Sequence, residues 1–138
     1  MRRPRVRGVM VAVFDDAGRV LLIRHTYGDR TRWDFPGGWV ASGEPAIEAA
    51  RREAFEELGL ELDLQPGGAF DAEWEHKHER LAFFTARFPD GATGRYDPVE
   101  IAEVGWFDPA EPPPVRLGQG SIAVLRALAT AEYPAGRA

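Results

Sequence analysis

The apolar positions fall into several short β-type runs and one long helical stretch. Val9 to Phe14 is continuously apolar and rich in valine, which predicts a buried strand. Asp15-Asp16-Ala17-Gly18 supplies turn chemistry, and Val20 to Ile23 is a second apolar run, so the two runs form a hairpin. Trp33-Asp34-Phe35 alternates briefly before Pro36-Gly37-Gly38 breaks the pattern. Ala46 to Leu58 is then filled with good helix formers. Ser42 or Glu44 is placed to open that helix, Pro45 suits its first turn, and Gly59 its end. Leu60 to Leu64 alternates leucine with acidic residues, which predicts a strand turned by Gln65-Pro66-Gly67-Gly68. Further strands are expected over Phe70–Glu75, Leu81–Phe88 and Val104–Phe107, and a closing helix from Ser121 to Glu132. Pro109 to Pro114 reads as a rigid connector. Strands interleaved with two helices predict a mixed sheet covered by helices.

Composition narrows the class. A chain of 138 residues fits a single domain spanning 1–138. The absence of cysteine excludes disulfides, thiolate metal sites and cysteine nucleophiles. A net charge of −5 disfavours nucleic acid as a partner, although Arg2, Arg3, Arg5 and Arg7 crowd the start of the chain. No stretch reaches the roughly 18 apolar residues of a membrane span. The opening run has no small-residue cleavage site before Asp15 and Asp16, so a cytoplasmic location is expected.

The long helix carries the candidate chemistry. At about 100° per residue, Glu53, Glu56 and Glu57 share one arc, while Ile47, Ala54, Phe55 and Leu58 form an apolar side expected to face the core. Arg51 falls inside that side, where its stem can snorkel past the core edge. Like charges three or four residues apart cost about 0.2–0.5 kcal/mol per pair, and anions near a helix C-terminus oppose the macrodipole. A solvated acidic face is one reading. A bound hard cation is the other, because carboxylate oxygens are what Mg2+ takes. Gly37 and Gly38, just ahead of the helix, permit close backbone approach and offer carbonyls. His25, His76 and His78 show no metal-ligand spacing beyond a bare His-x-His.

From Gly38 to Leu60 the chain reads Gly-x5-Glu-x7-Arg-Glu-Ala-x-Glu-Glu-x-Gly-Leu. This resembles the signature of the Nudix hydrolases at Gly38, Glu44, Arg52, Glu53, Glu56, Glu57, Gly59 and Leu60, with Ala54 where the family prefers a bulkier aliphatic residue. The Trp33–Gly38 and Glu103–Phe107 segments resemble family counterparts more loosely. The resemblance implies an α/β fold of the α+β type, an α/β/α sandwich around a central mixed sheet. It implies hydrolysis of a pyrophosphate linkage in a nucleoside diphosphate linked to another moiety, by water attack on phosphorus with Mg2+ or Mn2+. Glu53 and Glu57 are then the principal metal ligands, with Glu56 a further ligand or a water-orienting group. Arg52 orients a carboxylate, and the Gly37 or Gly38 carbonyl completes the coordination. The general base is a helix glutamate, or Glu100 or Glu103 from the later loop. Substrate-side candidates are Arg24 for a phosphate, Trp33 or Phe35 for stacking on a base, and Glu44 near the helix start. The partner is a small nucleotide, and a homodimer is compatible with the family. Two alternatives stand beside this reading: a nucleotide-sensing Nudix-like domain, and an RNA 5′-end pyrophosphohydrolase. The leaving group is not fixed by these residues.

Overall fold

A computed structural model describes residues 5–74, 77–111 and 113–130. Arg2, Arg3, His76 and the expected end of the last helix at Glu132 lie outside the described residues. Ten elements follow in chain order: β1 (Val6–Phe14), β2 (Val20–His25), β3 (Arg32–Asp34), β4 (Gly37–Trp39), α1 (Ala46–Leu58), β5 (Gln65–Trp74), β6 (Lys77–Arg87), β7 (Ile101–Phe107), β8 (Arg116–Leu117) and α2 (Gln119–Ala129).

The sheet runs β5-β6-β1-β2-β3-β8, with β4 added to β1 and β7 to β2. β1 lies parallel to β6, from Val6 opposite Arg80 to Phe14 opposite Arg87. β3 and β8 are also parallel, and the other pairings are antiparallel, so the sheet is mixed. Both faces of β1 are covered, which explains its continuous apolar run in place of simple alternation. Val9, Val11, Val13, Leu21 and Ile23 share one core with Ala49, Ala50, Ala54 and Leu58 of α1. Ala12, Phe14, Val20 and Leu22 share the other with Val124, Leu125 and Leu128 of α2. The result is an α/β/α sandwich. Neither described helix is long and apolar enough to cross a membrane.

Several local expectations are corrected. Leu60, Leu62 and Leu64 are buried alternately as the pattern implied, but no strand forms there. Gln65-Pro66-Gly67-Gly68 does not turn the chain; it opens β5, with Pro66 opposite Phe84 and a bulge before Gly68. β5 is an edge strand, where proline and a bulge are tolerated. Gly37 and Gly38 are not a break, since they pair with Met10 and Val9 of β1.

α1 keeps its expected bounds, but it is packed differently. Pro45 is its N-cap, without a side-chain cap bond, so neither Ser42 nor Glu44 caps it. Gly59 closes it in the left-handed region at φ 66°, a conformation that costs glycine little. Phe55 does not face the core: it is 58% exposed. Arg51, expected to skirt that core, is exposed and paired with Glu48. The buried stripe is Ala49, Ala50, Ala54, Glu57 and Leu58. Small alanine side chains let the helix backbone lie close to the sheet. That closeness brings carboxylates on the same stripe against the backbone of β4.

Candidate active site

Glu57 joins helix to sheet. It is 5% exposed. Its Oε1 accepts the Gly37 N–H at 2.8 Å, and its Oε2 lies 3.0 Å from His25 Nε2. Position 37 has no room for a side chain, because a Cβ there would sit 2.0 Å from the Val9 carbonyl oxygen. The Glu57 hydrogen bond pushes the His25 imidazole above its usual pKa, against the opposing effect of burial.

Glu53 lies one turn earlier, against Gly38. A Cβ on Gly38 would fall 2.5 Å from the Glu53 carboxyl group, so the glycine is the space this carboxylate occupies. Burial raises the Glu53 pKa, and the Glu57 charge adds to the rise, while Arg52 opposes it. A carboxyl whose folded pKa is raised loses stability as pH climbs through that value, because the folded state then holds a charge it disfavours. In metal-free protein, E53Q is therefore expected to melt higher than wild type at neutral pH. The two should converge once pH falls below the ordinary carboxylate range, as thermal unfolding across pH in chelator would show.

Arg52 supports this corner. Its Nε and Nη2 each donate to Glu44 at 3.0 Å, Nη1 donates to Glu53 at 2.9 Å, and Nη2 also reaches the Trp39 carbonyl at 3.1 Å. A guanidinium fork suits this planar, two-point grip. The Arg52 bond holds the Glu44 carboxyl below its usual pKa, with the Ala41 N–H assisting. Glu44 is thus engaged by Arg52 and the chain before α1, and through Arg52 it is linked to the helix carboxylates. Glu56 stands at the rim, with its side chain 53% exposed and 3.6 Å from Arg52.

Glu100 reaches the same region from the later loop. Its carbonyl accepts the Thr26 N–H at 2.9 Å, and the Thr26 hydroxyl donates to the Val99 carbonyl at 2.5 Å. The exposed Tyr27 ring lies 5.0 Å from the His25 ring. Burial raises the Tyr27 pKa first, then the charges of Glu57, Glu100 and Glu53, so this rim is strongly anionic.

Arg24 and Trp33 are not brought to the carboxylates. β2 alternates, so Leu21, Ile23 and His25 face α1 while Arg24 faces the α2 side. There Arg24 is held by Glu103 at 2.7 Å and by the Arg30 carbonyl at 2.8 Å. Trp33 packs edge-on against Phe107 at 5.5 Å in the α2-side core, and Phe35 is buried in that same core. Arg32 is paired with Asp34. At the end of β2 it is His25, not Arg24, that the structure places beside the helix carboxylates. The signal for His25 was its phase with the buried Leu21 and Ile23.

The buried Glu57, the partly buried Glu53 and Glu56 at the rim make a set of hard oxygen donors. Among the described residues, no three acidic or imidazole groups already form a finished metal cage. Mg2+ keeps several waters and takes only one or two protein carboxylates, which the Glu53 and Glu57 oxygens could supply. A cavity of about 770 Å³ opens on the outer flank of α1, lined by Glu44, Arg51, Phe55, Leu60 and Asp63 among others. Neither Glu53 nor Glu57 lines it, so the carboxylates lie outside this cavity.

Comparison with known proteins agrees with this geometry. The family model described as the NUDIX domain matches residues 4–128. An isopentenyl-diphosphate Delta-isomerase of Agromyces mediolanus is 36% identical over 113 residues, 72% of this chain and 52% of that protein. An NAD-capped RNA hydrolase of Chromobacterium violaceum is 29% identical over 124 residues, 86% of this chain and 46% of that protein. The chain thus spans about half the length of these curated relatives. The crystal structure of a MutT NUDIX hydrolase from Burkholderia pseudomallei superposes with a TM-score of 0.77 at 29% identity, covering 92% of this chain and 99% of the other. Signature, sandwich fold and family match coincide on the same residues, and the chain belongs to the Nudix family.

Proposed function

We propose that this protein is a divalent-metal-dependent hydrolase that cleaves a pyrophosphate linkage in a nucleoside diphosphate linked to another moiety. The observation that carries this reading is the pair of buried Glu57 and partly buried Glu53, closed against Gly37 and Gly38 and braced by Arg52. Glu53 and Glu57 would hold Mg2+, or Mn2+, with Glu56 at the rim and the Gly38 carbonyl as a further donor. The bound metal supplies charge neutralisation at the phosphates and a better water nucleophile. Arg52 keeps Glu53 in place, and Glu44 keeps Arg52 in place. Glu100 and the helix glutamates are the candidates to take the proton of the attacking water. Glu103 is the weaker candidate, because Arg24 occupies its carboxylate. A small-molecule nucleotide acted on in the cytoplasm, by a single unit spanning 1–138, completes the proposal.

The hydrolase among these relatives supports hydrolysis, the isomerase does not, and neither name singles out a substrate for this chain. A panel of nucleoside triphosphates, dinucleoside polyphosphates, nucleotide sugars, ADP-ribose and isopentenyl diphosphate, with Mg2+ or Mn2+, tests the reading. Metal-dependent formation of a nucleoside monophosphate from at least one member is expected. Isomerisation of isopentenyl diphosphate, with every nucleotide left intact, would overturn it.

A further inference from the structure

Glu57 is held at both oxygens, by donors from two segments that precede the signature. Gly37 provides the first through its backbone. The second is His25, from the end of β2, 32 positions earlier in the chain. We infer that His25 is a positioning residue for Glu57: with the Gly37 N–H, its Nε2–H clamps the carboxylate and leaves the remaining lone pairs for a cation shared with Glu53. This rests on the metal-hydrolase reading above and adds a residue to it.

The geometry gives His25 few alternatives. Its backbone pairs with Ile101 of β7, where Ala102 is an extra residue between the partners of Arg24 and His25, while β2 itself continues its alternation. The side chain is 19% exposed, and the Tyr27 ring lies over it at 5.0 Å. Each carboxylate oxygen offers about two lone-pair sites, so one bond from Gly37 and one from His25 leave a site on each oxygen. The donor role does not depend on imidazole charge. Opposite a carboxylate, Nε2 carries hydrogen in the neutral tautomer that fits and in the protonated ring alike. Partners that orient a ligand in this way tune metal affinity by about 10–100-fold.

Direct titration of Mn2+ into the metal-free full chain, read by the electron paramagnetic resonance of unbound Mn2+, tests the role. H25L removes the donor, and H25Q keeps an N–H at similar reach. Mn2+ affinity is expected to fall by about 10–100-fold in H25L and to stay within a few-fold of wild type in H25Q. The Mg2+ concentration for half-maximal turnover should rise in H25L by a similar factor. Should H25L fail to fold, H25N replaces it, since its shorter amide does not reach Glu57. Wild-type or tighter Mn2+ binding by the donor-less variant, or an equal loss in H25Q, overturns the inference. Absence of Mn2+ binding by wild type overturns instead the metal-hydrolase reading, and the role of His25 with it.

Discussion

Replacing Glu57 with glutamine is expected to lower metal-dependent turnover by about a thousandfold or more, and E53Q by a similar factor. Metal charge stabilisation of a phosphoryl transition state is worth several kcal/mol, and each 1.36 kcal/mol is tenfold in rate. The two variants should part company in stability. A glutamine at position 57 keeps the Gly37 bond through its carbonyl oxygen and turns its NH2 toward His25, which must then accept at Nε2 in its other neutral tautomer. The charge-assisted bond to the carboxylate is lost, and hydrogen bonds to charged groups contribute about 1.5–3 kcal/mol against about 1 kcal/mol for neutral ones. E57Q should therefore melt lower than wild type, while metal-free E53Q melts higher at neutral pH, where its charge is a burden. Steady-state kinetics and thermal unfolding on the same preparations check both halves. Substantial activity in both variants would remove the carboxylates from the chemistry.

Alanine at the two adjacent glycines should separate fold from function. At Gly38 the added Cβ meets the Glu53 carboxyl at 2.5 Å, the far end of a side chain that can swing aside. G38A should stay folded and lose turnover by about 100-fold, because small misplacements of a catalytic group carry that penalty. At Gly37 the added Cβ meets the Val9 carbonyl oxygen at 2.0 Å and the Met10 Cα at 3.0 Å, both backbone atoms of the central strand. Overpacking of this kind costs about 1–3 kcal/mol. G37A should accordingly lower the melting temperature by roughly 5–10 °C. Calorimetry beside an activity assay distinguishes the two. A stable, active G38A would mean that Glu53 has room the structure does not give it.

What was legible in the sequence was local. The bounds of α1 follow from helix formers closed by a glycine that takes the left-handed region at low cost. The carboxylate spacing, with Arg52 beside it, is likewise a property of one helix. What the sequence did not disclose depends on pairing between distant segments. Leu60, Leu62 and Leu64 alternate like a strand and are buried like one, yet no strand forms there. Gly37 and Gly38 look like a break until β1 pairs with them. Phe55 outweighed the alanines on the helical wheel, but close approach to the sheet selects small residues, and Phe55 stays outside. At the end of β2, a one-residue choice decided which sheet face was meant. Arg24 has the chemistry expected at a phosphate, but His25 has the direction.

Turnover in isotopically labelled water tests the metal-hydrolase centre most directly. A reactive nucleoside diphosphate derivative from the panel is incubated with Mg2+ in water enriched in heavy oxygen, and the products are followed by phosphorus NMR. The Glu53–Glu57 site predicts one phosphorus product bearing the label, abolished by chelator and absent in E53Q and E57Q. Labelled product forming equally without metal, or at wild-type rate in both variants, would contradict it.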